Sequence, residues 1–363
     1  MRRLICFFGS ILFSFKSRKI PKEPEKILIM RSGGIGDVLM STPLVKAIRK
    51  HYPKAEITYF VGNWSKNVIE DNPNIDKIFN YDDMIIIGRN IFKIIGLIKR
   101  IRKQKFDLIF NLEKSWHWAL LAFLFGIKAR VGFNRYGEGF ANTISVPFNG
   151  KKYELEYYLD LARLLNMKIS SDNMEIYITK KEKSISNKFI IKNKLKKNKI
   201  LGIAPGGADN PAQQAVIKRW PLDNYVKLIN KLTEEKKTYI MIFGGSNDVE
   251  TCKELVNKIK NKEQVINTTG KLTIKESAAL MKYCKLFITH DAGPMHIAGA
   301  VKVKLIALFG PTQAHRFAPK NIIVIKAKSK PCYDIYGRFK GKSNMSEIKL
   351  NDVSKTISQR LVA

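Results

Sequence analysis

At 363 residues the chain has room for two domains, each with a core of its own, and a 45% share of hydrophobic residues excludes wholesale disorder. The formal net charge of +34 makes the surface attractive to nucleic acid, anionic lipid or a phosphorylated glycan, but no helix-turn-helix, zinc-finger or aromatic RNP pattern accompanies it, so no specific nucleic-acid partner is expected. Four scattered cysteines, Cys6, Cys252, Cys284 and Cys332, form no Cys-x-x-Cys pair, which argues against a zinc site or a disulfide framework and fits a reducing, cytoplasmic compartment.

In chain order, Arg2 and Arg3 precede an apolar stretch at residues 4–15, with Lys16, Arg18 and Lys19 behind it. It is shorter than the ~20 residues a spanning helix needs. Phe15-Lys16-Ser17-Arg18 supplies no small-residue cleavage site. Residues 1–24 therefore read either as an interfacial anchor with basic flanks or as a frayed extension. A buried strand follows at 26–30 and ends in Arg31-Ser32-Gly33-Gly34-Ile35-Gly36-Asp37, and helical periodicity begins at Val38. Strands at 56–61, 77–80, 107–111 and 129–132 alternate with helical segments at 91–101 and 116–125. A helix at 154–165 closes this half. That alternation implies a parallel sheet covered on both faces.

The Lys-rich run at 181–199 reads as a helix plus linker. A fresh α/β pattern then begins at 200–204. It continues through a helix at 224–233, a strand at 238–243, a helix after Asn247 and a helix at 274–284. The strand 286–289, a helix from Pro294, the strand 303–309 and a final helix at 346–361 complete it. The expected division is 25–175 for the first half, 176–345 for the second and 346–363 for a C-terminal helix.

The chemistry gathers at the turns that follow strands. Thr289-His290-Asp291-Ala292-Gly293-Pro294-Met295-His296 stands where a helix begins, and unpaired N–H groups with the helix dipole suit a diphosphate there. His296 is placed to donate to the same phosphate, and Asp291 to hold sugar hydroxyls. The plain alternative is a capped helix with no ligand. Gly206 and Gly207 let the backbone approach a phosphate closely. Lys218 is a point charge for the β-phosphate, while Trp220 reads as core packing. Asn247 or Asp248, after another glycine turn, suits ribose hydroxyls. In the first half Asp37 follows a glycine turn at a strand end, where it either caps the helix or acts as a general base.

The opening Ser-Gly-Gly-Ile-Gly-Asp-Val-Leu, Lys218-Arg219-Trp220-Pro221, Thr269-Gly270-Lys271-Leu272-Thr273, the segment 291–296 and Leu308-Phe309-Gly310-Pro311-Thr312 together resemble glycosyltransferase family 9, the ADP-heptose-dependent heptosyltransferases of lipopolysaccharide core assembly. The resemblance runs over roughly residues 25–320 in the same motif order. It implies an α/β chain of the GT-B fold: two Rossmann-like parallel-sheet domains facing across a cleft. It also implies inverting single displacement with no cofactor and no metal; Asp82-Asp83 form no D-x-D motif and lie in the other half. On this resemblance Asp37 matches the catalytic carboxylate and Lys218 the phosphate-binding lysine. Leu272 matches the position packing on adenine, and the backbone around Ala292, Gly293 and Met295 assists with His296. Gly34 and Gly36 lie on the acceptor side, where Arg130 and Arg135 are set to grip acidic sugar or phosphate groups.

The implied partners are an ADP-sugar donor, an anionic lipid-linked glycan acceptor and the inner face of the inner membrane, to which a cytoplasmic enzyme attaches peripherally. The chain departs from the family at Ala292, where Ser or Thr is common, so a phosphate hydrogen bond is either missing or supplied by backbone. A nicotinamide-dependent oxidoreductase is the competing class for Rossmann-like halves. Gly33-Gly34-Ile35-Gly36 lacks the G-x-G-x-x-G spacing, however, and Asp37 would oppose a pyrophosphate.

Overall fold

The computed structural model describes residues 2–13, 19–195, 200–211, 213–236 and 238–362. Two sequence expectations fall partly elsewhere: the Phe15-Lys16-Ser17-Arg18 flank of the N-terminal stretch and the end of the Lys-rich run, residues 196–199, lie outside the described residues. The chain divides into two compact units, Met1–Met174 and Glu175–Ala363.

Unit 1 contains α1 (Arg2–Leu12), β1 (Lys26–Met30), α2 (Ile35–His51), β2 (Glu56–Gly62), β3 (Lys77–Tyr81), α3 (Asp83–Ile87), α4 (Ile91–Arg102), β4 (Leu108–Asn111), α5 (Trp116–Leu124), β5 (Ala129–Asn134), β6 (Ile144–Pro147) and α6 (Glu154–Leu164). Its six strands are all parallel, in the order β3-β2-β1-β4-β5-β6. β1 and β4 carry nearly continuous apolar runs because helices cover both faces of the sheet. Leu28, Met30, Phe60, Ile109, Leu121 and Phe125 form one contiguous core.

Unit 2 contains α7 (Lys180–Lys192), β7 (Ile200–Ala204), the short hairpin strands β8 (Asp209–Asn210) and β9 (Gln213–Gln214), α8 (Leu222–Lys236), β10 (Tyr239–Ile242), α9 (Val249–Asn257), β11 (Val265–Asn267), α10 (Ile274–Met281), β12 (Leu286–His290), α11 (Gly293–Ala300), β13 (Leu305–Phe309), α12 (Ala314–Phe317), β14 (Ile323–Lys326) and α13 (Leu350–Val362). The main sheet, β11-β10-β7-β12-β13-β14, repeats the order of the first, again parallel throughout. Both are the doubly wound arrangement, whose order reverses beside the first strand and opens a ligand crevice at the strands' carboxyl ends. In unit 1 that point lies between β1 and β4, and in unit 2 between β7 and β12.

Local chemistry sets the helix starts. α7 opens on a capping box of Thr179 with Glu182, and α10 on one of Thr273 with Glu276. Asp82 caps α3, while Asp83 accepts from the Trp64 N–H at 3.0 Å, so both acids serve the backbone. α2 begins at Ile35, three residues before the apolar periodicity, because Gly34 is extended (φ −68°, ψ 157°) and Asp37 falls in the first turn, where its charge suits the dipole. Trp220 is buried as expected, donating its indole N–H to the Ile348 carbonyl at 3.0 Å and joining α13's Val353 and Ile357 in the unit 2 core.

Candidate active site

At the reversal point of unit 2 three loops converge. Gly207 adopts φ +84°, which glycine reaches without strain, and a Cβ built there would lie 3.2 Å from the Ala292 methyl and 3.7 Å from Pro294 Cδ. The glycine turn after β7 therefore abuts the first turn of α11. The third loop is tied in by Asp248: its Oδ1 accepts from the Gly207 N–H at 2.6 Å and its Oδ2 from the Gly245 N–H at 2.9 Å. Gly206 is glycine for space, since a Cβ there would stand 2.3 Å from Asp248 Oδ1. Next to the third loop, Gly270 N–H donates to the Gly244 carbonyl at 3.1 Å, which brings half-buried Leu272 to the same edge.

α11 begins on Ala292, which has no side chain able to cap it. Pro294 has no N–H to satisfy, and the Met295 N–H is taken by the Ala292 carbonyl at 3.0 Å. Among the described residues the Gly293 amide meets no acceptor, and it lies at the positive end of the dipole, where an anion is favoured. Met295 is a correction to the sequence expectation: its amide is engaged and its side chain is fully buried, so it packs and offers nothing to a ligand.

Lys218, at the end of a 3-10 turn, places Nζ 3.0 Å from Asp291 Oδ2 and lies over the Tyr333 ring at 5.5 Å. His296 Nε2 is 4.0 Å from the other Asp291 oxygen. Burial pushes the Asp291 carboxyl up, but Lys218, His296 and the Thr312 hydroxyl more than offset this and hold it below the usual carboxylate range. Asp291 is therefore a buried counter-ion that orients Lys218, where the sequence suggested a grip for sugar hydroxyls. His290 lies fully buried at the end of β12, and burial pushes it down to about 3, so it stays neutral. Neighbouring Arg219 was missed in the sequence although it adjoins Lys218. Its Nε donates to the Gly207 carbonyl at 2.9 Å and its Nη2 to Asp209 at 2.6 Å, fixing the turn from behind.

Asp248 is also a correction. Each of its oxygens accepts a backbone N–H and the residue is buried, so it clasps two turns together instead of presenting a carboxylate to ribose.

At the reversal point of unit 1, Arg31 follows β1 directly and reaches two carboxylates: Nη2 is 2.7 Å from Asp37 Oδ1 and Nη1 is 2.6 Å from Glu113 Oε2. Burial alone would lower the guanidinium, but Asp37 and Glu113 outweigh it and hold it well above its ordinary value. The second Glu113 oxygen accepts from the Ser32 N–H at 2.7 Å and the Ser32 hydroxyl at 2.8 Å. Asp37 keeps 32% of its side chain exposed, and its Oδ2 lies 3.6 Å from where a Cβ on Gly33 or Gly34 would stand. Gly36, the next residue but one, is buried in the same turn.

The two arginines assigned to the acceptor are corrections. Arg130 is buried: its Nε donates to the Ala141 carbonyl at 2.7 Å and its Nη1 to the carbonyls of Ile127 at 2.5 Å and Lys128 at 3.0 Å. Arg135 is buried against Glu138 at 2.5 Å, and Glu138 also holds Arg2 at 3.2 Å. Arg130 ties the segment before β5 to the loop after it, Arg135 holds that loop, and both guanidinium groups are buried.

Two doubly wound six-stranded units, each with its polar turns at the carboxyl ends of the strands, make up the GT-B class of glycosyltransferases. The chain belongs to glycosyltransferase family 9 (heptosyltransferase), whose model matches residues 94–340. It is a glycosyltransferase, and the oxidoreductase alternative finds no support. Among curated proteins it is 26% identical to lipopolysaccharide heptosyltransferase 2 of Escherichia coli K12, covering 79% of this chain and 83% of that one. It is 28% identical to lipooligosaccharide heptosyltransferase 2 of Haemophilus ducreyi, covering 83% and 88%. Among solved structures, the family 9 glycosyl transferase of Veillonella parvula matches with a TM-score of 0.77 at 24% identity, over 93% of this chain and 97% of that one. E. coli ADP-heptose lps heptosyltransferase II matches with a TM-score of 0.71 at 22% identity, over 93% and 98%.

Proposed function

We propose that this family member moves a heptose from ADP-heptose to a hydroxyl of the lipopolysaccharide core, with inversion. The names of its curated relatives support the heptose and the acceptor class, and the name of the solved E. coli heptosyltransferase II supports ADP-heptose as the donor. Unit 2 holds the donor diphosphate and unit 1 activates the acceptor. Asp37 Oδ2 takes the proton of the acceptor O–H as that oxygen bonds to the anomeric carbon, and the bond from that carbon to the diphosphate breaks to release ADP. The charge growing on ADP is met by Lys218 and the Gly293 amide. Gly207 lets the diphosphate come close, and Leu272 borders the adenine. Because the acceptor is lipid-borne, the enzyme works in the cytoplasm against the inner face of the inner membrane.

The observation that carries this reading is the contact of Gly207 with Ala292 and Pro294 beside the Lys218–Asp291 pair: an uncapped helix start, a close-approach glycine and an ammonium in one place. A donor screen tests it. ADP-heptose is expected to raise the melting temperature and to release ADP in the presence of core acceptor; a shift with UDP-, GDP- or CMP-sugars and none with ADP-heptose would overturn the donor assignment.

A further inference from the structure

Helix α1 has two apolar stripes. Cys6, Gly9 and Phe13 lie on one, and they pack on unit 1: a Cβ on Gly9 would stand 2.8 Å from the Phe140 ring, the Cys6 Cβ lies 3.3 Å from where a Cβ on Gly137 would stand, and Phe13 meets the Phe123 ring edge-on at 4.8 Å. Leu4, Phe7, Phe8 and Leu12 form the other, at i, i+3, i+4 and i+8, and these stay 60%, 61%, 64% and 77% exposed. Docking has therefore buried one face and left the second, larger-residued face open.

The open face does not end with α1. The ends of the three helices meet: Phe13 touches Phe123, and Arg102 Nε donates to the Leu124 carbonyl at 2.8 Å. The end of α5 is thus flanked by the ends of α1 and α4. α4 adds Ile91 and Phe92, 67% and 86% exposed, and α5 adds exposed Phe123 and Leu124. The charge around them has one sign. Residues 1–22 and 84–105 hold no Asp or Glu, and Lys93, Lys99, Arg100 and Lys103 are all exposed.

We infer that the face formed by α1, α4 and α5 lies on an anionic lipid bilayer, with Leu4, Phe7, Phe8, Leu12, Ile91 and Phe92 in the acyl boundary and the basic rim on lipid phosphates. No helix among the described residues is long and apolar enough to cross a membrane, so α1 lies in the plane of the interface. A second copy of the chain is a poor occupant, because joining two such faces would bring two cationic rims together. Protein interfaces are also depleted in lysine. The inference deepens the lipid-borne acceptor of the proposed function, and its test uses neither donor nor acceptor.

The full chain is mixed with phosphatidylcholine vesicles, with and without phosphatidylglycerol, and pelleted. Binding is expected to the mixed vesicles, to weaken in high salt, and to fall roughly tenfold or more in Phe8→Ser and again in Phe92→Ser, since each removes an aromatic group that the bilayer would bury. Both sites are exposed, so the melting temperature should not move. Wild-type protein left in the supernatant, or both variants pelleting like wild type, would overturn the inference. So would a dimer that Phe8→Ser turns into a monomer without any vesicle binding. ADP-heptose turnover on a soluble acceptor, retained by Phe8→Ser, separates failure of this face from failure of the transferase reading.

Discussion

Arg31 binds Asp37 Oδ1 at 2.7 Å from its guanidinium, and Asp37 Oδ2 lies beside the Gly33-Gly34 turn. The arginine is itself fixed by Glu113 at 2.6 Å, whose second oxygen is bound by Ser32. The half-buried acid is thus oriented from beneath by a buried pair that follows two adjacent strands, β1 and β4.

If Asp37 removes the acceptor proton, Asp37→Asn should lower the transfer rate by about 10²–10⁴-fold, the usual worth of a positioned general base. ADP affinity, which the proposed function assigns to unit 2, should be unchanged. Single-turnover kinetics with an ADP titration check both; retained turnover with lost ADP binding would contradict the assignment. Glu113→Gln leaves Arg31 buried with one charged partner. It should cost stability on the order of 3–5 kcal/mol, as breaking a buried pair does, together with part of the rate.

Lys218 and Asp291 give a pH signature. The Asp291 carboxyl is held below the ordinary range of ~3.9 despite its burial. The native form therefore binds fewer protons than the unfolded chain there. The stabilisation is present above the unfolded pKa and is lost as pH falls through the lower folded value. In Lys218→Met burial should dominate and raise the carboxyl, reversing the slope, so that mild acid makes the variant more stable. Melting curves against pH read this directly. ADP should bind at least tenfold more weakly to Lys218→Met, through loss of a charge-assisted contact. Lys218→Met/Asp291→Asn should recover stability without recovering ADP affinity.

The sequence revealed the central strands and the turns behind them, because β1, β4, β7, β12 and β13 are covered on both faces and read as apolar runs. It did not reveal β6, β11 or β14. β6 and β14 are edge strands and β11 is another, all only partly buried and four residues or fewer, so no run stands out. The glycine turns and Lys218 were legible from local order. The Arg31–Glu113 pair was not, because its members are 82 positions apart and meet only through the neighbouring of β1 and β4. Arg130, Arg135, Asp248 and Asp291 were misread for one shared reason: charge in the sequence suggests a ligand, and only packing shows that a backbone or an internal partner already occupies it.

Arg130 offers a clean separation of structure from binding. Its guanidinium satisfies the carbonyls of Ala141, Ile127 and Lys128, and burial lowers its pKa. Arg130→Met should strand buried acceptors at about 1–3 kcal/mol each and lower the melting temperature by several degrees. The Michaelis constant for acceptor should stay put in the folded fraction. A raised constant at unchanged melting temperature would return Arg130 to the acceptor site.

Asp248 should behave as a clasp. Asp248→Ala leaves the Gly207 and Gly245 N–H groups without their acceptor, at a cost of about 1–3 kcal/mol per group that remains buried. Gly206→Ala drives a methyl into the same carboxylate, where a Cβ would stand 2.3 Å from Oδ1, and should mimic it. Since the turn they support abuts α11, both variants should weaken ADP and inorganic pyrophosphate alike. A direct bond to ribose predicts a different pattern: Asp248→Ala would weaken ADP and spare pyrophosphate, and Gly206→Ala would not follow it. Calorimetric titration of the two ligands against the two variants decides between a residue that shapes the phosphate turn and one that touches the nucleoside.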